Sequence, residues 1–162
     1  LFQFGKGGSF GLSGNIFTYQ SATGVGNGAD TTEDTLQSFT LPANAFDLPG
    51  RALWIYAYGK FATDLDSKTA RLYFGSSIVL SSGAQTLSNT GWALELLVQK
   101  TGANAQIASG QIVNGTTHGG VTLPLIGTET DTAGIIIKVT GQTGTAAAND
   151  VVLNGLMIAA SN

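Results

Sequence analysis

The stretch Gly91-Trp92-Ala93-Leu94-Glu95-Leu96-Leu97-Val98-Gln99-Lys100 decides the fold class. On an extended chain Trp92, Leu94, Leu96 and Val98 fall on one side, and Ala93, Glu95, Leu97 and Gln99 on the other. Its Ala-Leu-Glu-Leu-Leu core also has high helix propensity. A period of two between glycine turns favours a strand instead.

The same alternation recurs outward from this stretch. Residues 51–61 put Leu53, Ile55, Ala57 and Phe61 on one side and Trp54, Tyr56, Tyr58 and Lys60 on the other. Both sides are bulky, so this strand is expected to be covered on each face. Residues 69–74 alternate Ala70, Leu72 and Phe74 against Arg71 and Tyr73, after a turn at Asp64-Leu65-Asp66-Ser67. Shorter runs lie at 35–41, ending at Pro42, and at 78–80. Residues 103–113 read as a strand with a bulge near Gly110, and His118-Gly119-Gly120 as a loop. Residues 133–142, with Ile135, Ile137 and Val139, and 150–160 complete the pattern. About eight strands with evenly spaced turns and no helix predict an all-β fold, an antiparallel β-sandwich of jelly-roll type, over residues 33–162.

Residues 1–32 differ. Glycines alternate with isolated aromatics: Phe2, Phe4, Phe10, Phe17 and Tyr19. Glycine-rich chain does not hold a fold by itself, yet large apolar groups are poor choices for a solvated linker. The segment is therefore expected to be an extended arm whose aromatics anchor it, either on a partner or along its own domain.

Composition narrows the function. Only 10% of the 162 residues are charged, against a usual value of about 25%. A weakly charged surface tends to associate, which suits a subunit held by its neighbours. A net charge of −3 with scattered basic residues argues against a nucleic-acid-binding surface. The absence of cysteine rules out disulfides and thiolate metal sites. No apolar run approaches a membrane span, and the N-terminal residues do not read as a signal peptide.

Constellations for catalysis are weak. The single histidine, His118, has no nucleophile elbow to serve. A glycosidase needs two carboxylates at a set separation. All but Glu95 fall in turns or at strand ends, and Glu95 is expected to pair with a cross-strand Lys or Arg. Asp64, Asp66 and Glu129 are the carboxylates to substitute if a polysaccharide were the substrate. Asp64-Leu65-Asp66-Ser67 opens like a calcium loop but lacks the required Gly and distal Glu. Gly5-Lys6-Gly7-Gly8-Ser9 lacks the spacing of a phosphate loop. No enzyme, cofactor or metal is expected. Trp54, Tyr56 and Tyr58 could stack on sugar rings or pack against a second subunit.

Three segments carry a family resemblance: Thr35-Leu36-Gln37-Ser38-Phe39-Thr40-Leu41-Pro42-Ala43-Asn44-Ala45-Phe46, Lys68-Thr69-Ala70-Arg71-Leu72-Tyr73-Phe74-Gly75, and the stretch from Lys138-Val139-Thr140-Gly141-Gln142 to Asn149-Asp150-Val151-Val152. Together they resemble the trimeric jelly-roll modules that tailed bacteriophages use as capsid decoration (cement) proteins, and related tail-fibre or tail-tip domains. The resemblance implies a virion location on the capsid surface, a homotrimer and the major capsid protein as partner, with neither nucleic acid nor membrane. It carries no catalytic residues. A tail module touching a host glycan through loops 81–91 or 114–120 is the alternative it leaves open.

Overall fold

The computed structural model describes residues 18–21, 24–120 and 125–161. The arm anchors Phe2, Phe4, Phe10 and Phe17 lie outside them. Among the described residues every regular element is a strand, and the fold is an all-β sandwich of two antiparallel sheets.

Four strands open the chain: β1 (Thr18–Ser21), β2 (Val25–Gly26), β3 (Asp34–Leu41) and β4 (Ala52–Phe61). β5 (Lys68–Phe74), β6 (Ser77–Ser81), β7 (Gly91–Gly102) and β8 (Ala105–Asn114) follow. The last four are β9 (Thr117–Gly120), β10 (Leu125–Gly127), β11 (Ile135–Thr143) and β12 (Val151–Ser161). The larger sheet runs β1-β12-β4-β7-β8-β10, with β2 also on β12 and β9 on β8; the smaller runs β3-β11-β5-β6. Early strands pair with late ones, β3 with β11 and β4 with β12, as the chain passes repeatedly between sheets. That is jelly-roll connectivity, with β8, β9 and β10 widening the larger sheet beyond the four strands per sheet usual in an eight-stranded jelly roll.

Inward positions on both sheets are apolar. Leu53, Ile55, Ala57 and Phe61 of β4 face Ala70, Leu72 and Phe74 of β5 and Ile135, Ile137 and Val139 of β11, all but inaccessible to water. Trp92, Leu94, Leu96 and Val98 of β7 extend this core, and the helical alternative for that stretch is excluded. Backbone pairing drives the choice: from Lys60↔Gly91 to Ala52↔Gln99 every β4 residue opposes one of β7.

Several expectations change. Among the described residues nothing fully covers the outward side of β4: Trp54 is 39% and Tyr58 38% exposed. Gly110 sits in regular register opposite Leu96, and the irregularity of this pair lies at Lys100/Gly102. What Gly110 provides is closeness, since a Cβ there would lie 2.3 Å from the Glu95 carbonyl oxygen. His118-Gly119-Gly120 is not a loop but most of β9, which folds back on β8 with His118 opposite Val113. The described residues form twelve strands where about eight were expected, because short pairings such as β2 and β10 carry no alternation that a sequence reveals.

The described part of residues 18–32 is stitched to the sandwich. β1 runs along β12, with Tyr19 opposite Ile158. Asn27 is buried, donates from Nδ2 to the Ala147 carbonyl (2.9 Å) and accepts at Oδ1 from the Val151 N–H (2.8 Å).

The face assignment of β7 yields a paired expectation. Leu96→Ala should cost about 2–5 kcal/mol in urea unfolding, whereas Leu97→Ala, at a half-exposed position, should stay within about 0.5 kcal/mol. Equal losses would mean that β7 presents the other face to the core.

Candidate functional site: the outer face of the larger sheet

The two sheets turn very different outer faces to solvent. On the smaller one, Glu33 binds three neighbours: Arg71 Nη1 (2.9 Å), the Tyr73 hydroxyl (2.7 Å) and Thr140 Oγ1 (2.5 Å). Lys138 Nζ lies 4.3 Å from the Tyr73 ring centroid, completing a charged, hydrogen-bonded surface. Partial burial pushes the Glu33 pKa up. The hydrogen bonds from Thr140 and Tyr73 and the charges of Arg71 and Lys138 outweigh it, and the net shift is downward.

On the larger sheet the outer face is aromatic. Because β4 alternates, Trp54, Tyr56 and Tyr58 stand in one row, with ring centroids 6.1 and 5.7 Å apart and planes tilted by 23° and 28°. Across the strands, Trp54 opposes Leu97 and Leu97 opposes Ser109; one step along, Tyr56 opposes Glu95 and Glu95 opposes Gln111. Trp54 Nε1 donates to Glu95 Oε1 (3.0 Å), and Gln111 Nε2 to Glu95 Oε2 (2.6 Å). Glu95 therefore pairs with neutral donors rather than with the Lys or Arg expected. An open depression of about 310 Å³ lies here, lined by Trp54, Glu95, Leu97, Ser109, Gly110 and Gln111. At the far end of the row, Tyr58 leans over Gly155, where a Cβ would come within 2.6 Å of its ring.

The remaining carboxylates are occupied elsewhere. Asp64, Asp66 and Asp150 bring oxygens within 4.8 Å of one another. The buried Lys68 ammonium pairs with the Asp64 carboxylate and donates to the carbonyls of Asp64 (3.1 Å) and Asp66 (3.0 Å). That hydrogen bond from Lys68 is the main reason the Asp64 pKa is lowered. Asp131 accepts from the buried Lys100 Nζ (2.5 Å), which lowers its pKa likewise. Glu129 Oε1 accepts from the Ser76 N–H (2.9 Å), Asp47 pairs with Arg51, and Asp30 and Asp34 accept backbone N–H groups. All ten carboxylates of the sequence thus hold hydrogen bonds or ion pairs within the chain.

Of the expected site residues, Trp54, Tyr56 and Tyr58 come together, and Tyr19 places its backbone on the edge strand β1. His118 is exposed on β9, away from any described carboxylate partner. Sequence reading missed Glu95, Gln111 and Ser109 as neighbours of Trp54, because cross-strand register was unknown. No family model and no curated protein matches the chain. Among solved structures, a chain of infectious bursal disease virus, Gt strain, is 14% identical with a TM-score of 0.37, over 90% of this chain and 33% of that one. The CBM2 module of the evolved Dit of Lactobacillus casei BL23 phage J-1 is 10% identical with a TM-score of 0.30, over 75% and 67%. The chain spans about a third of the length of the bursal disease virus chain.

The lowered carboxylates fix the sign of the acid response. A carboxyl group whose folded pKa lies below its unfolded value stabilises the fold above the unfolded value and loses that contribution as the pH falls. The melting temperature should therefore hold from neutrality to mild acid and drop as the pH falls below 4.5, the ordinary Glu value. Glu33→Gln should flatten part of that drop, and an unchanged acid limb would remove Glu33 from the account. Lys100→Ala should melt lower than Lys100→Met, since methionine keeps the methylene packing while losing the ion pair.

Proposed function

We propose that the chain is a non-enzymatic structural module of a tailed-phage virion, a jelly-roll that decorates and stabilises the capsid. The observation that carries this reading is the commitment of every carboxylate to the fold itself. Hydrogen bonds and ion pairs that tie loops and strands together are what a rigid building block asks of its carboxylates. The jelly-roll connectivity is also the architecture of viral capsid and lectin domains.

In this role the protein assembles as a homotrimer on the capsid surface and binds the major capsid protein. Its N-terminal residues, with Phe2, Phe4, Phe10 and Phe17 as anchors and Tyr19 at the root on β1, make that contact. The mechanism is linkage: a ligand of the assembled shell that ignores its loose parts stabilises the shell by mass action. The alternative is a tail-fibre or tail-tip module that binds a host-surface glycan receptor, favoured by the open aromatic face around Trp54.

Removing residues 1–17, which stops short of β1, should leave a folded domain that no longer decorates shells. Undiminished decoration by the truncated chain would discard the anchoring role. Densitometry of purified particles separates the two placements. A decoration protein should match the shell subunit in scale of copy number, and a tail module should fall far below it.

A further inference from the structure

We propose that the depression beside Trp54 is a binding site for a neutral saccharide, built from one fixed indole and a rim of carboxylate, amide and hydroxyl groups. This rests on the alternative, glycan-binding reading and gives it a site and a class of sugar, whereas the assembly role rests on the N-terminal residues and not on this face.

Trp54 is the first reason. The other tryptophan, Trp92, is buried in the core, whereas Trp54 is 39% exposed and still held in orientation. Tyr56 stacks on it and Glu95 takes its N–H. An exposed aromatic that is already immobilised loses little entropy when a ligand lies on it, which is the usual gain from preorganisation.

The polar rim is the second reason. Each Glu95 oxygen accepts one N–H from a neutral donor and keeps a further lone pair. Gln111 spends its Nε2 on Glu95, its Oε1 can accept from other donors, and the Ser109 hydroxyl has no partner among the described residues. Gly110 brings β8 close against β7, so Ser109 and Gln111 flank the same hollow as Trp54. The result is an apolar surface, from Trp54 and Leu97, edged by acceptors in need of donors. A pyranose matches that pattern: its C–H face lies on the indole while its hydroxyls donate to the carboxylate and amide oxygens.

Charge and size select among ligands. Glu95 stands without a cationic neighbour in hydrogen-bond contact, so an anionic sugar would be repelled and a neutral one would satisfy it without adding charge. The volume of about 310 Å³ is at the small end of ligand clefts.

The test uses the full chain on an array of neutral oligosaccharides from bacterial surfaces, followed by titration of the best binder while tryptophan emission is recorded. A neutral oligosaccharide should bind and shift the emission of Trp54. Trp54→Ala and Glu95→Ala should each weaken it about tenfold or more, and Ser109→Tyr, which fills the hollow from an exposed position, should abolish it with the melting temperature unchanged. The proposal is overturned if no neutral saccharide on the array binds, or if binding survives both Trp54→Ala and Ser109→Tyr. It is equally overturned if only a guanidinium or quaternary ammonium probe binds, because the face would then be a cation site. Particle decoration by the Trp54→Ala protein is scored separately, so loss of saccharide binding and loss of assembly are distinct results.

Discussion

Two sheets about 10 Å apart share an interior only where each inward position is apolar or reaches the rim with its polar end. In this fold the inward stripes of β5 and β7 both terminate in lysine. Lys68 continues Ala70, Leu72 and Phe74, and Lys100 continues Trp92, Leu94, Leu96 and Val98. The two lie at opposite ends of the sandwich, since β5 starts beside the end of β11 while β7 ends beside the start of β4. Each stem caps the core with methylenes and each ammonium meets an aspartate at the rim, Asp64 at one end and Asp131 at the other. The loops that supply those aspartates are thereby tied across the two open mouths of the core.

Much of this was legible in the chain. The inward sets of β4, β5, β7 and β11 follow from strict alternation, because one buried face imposes a period of two. The lysine plugs carried the same signal, standing in phase with the apolar residues of their strands, but a charged residue reads by default as solvated. What could not be read is pairing. Glu95 looked like half of a cross-strand ion pair, yet register placed Tyr56 on one side of it and Gln111 on the other. Likewise His118-Gly119-Gly120 has the composition of a loop, and only the antiparallel return onto β8 makes it a strand. Propensity is local and register is not, so a site assembled across three strands stays invisible until the sheet is ordered.

The scarcity of charge takes on a different meaning once the partners are known. Arg51, Arg71, Lys68 and Lys100 are all in ion pairs within the chain, and Lys138 covers the Tyr73 ring. With all ten carboxylates also engaged, the ionic groups act mainly as fasteners at loop ends and on the outer side of the smaller sheet. The larger sheet is left with an outer face on which Glu95 and Lys60 stand among Trp54, Tyr56, Tyr58 and Leu97. Such a surface has little electrostatic reach, so it recognises by shape, stacking and short hydrogen bonds. Such a sparsely charged face suits the soft polar ligand proposed for it. β1 and β8, the strand that frames the hollow, stand on opposite flanks of β12, β4 and β7.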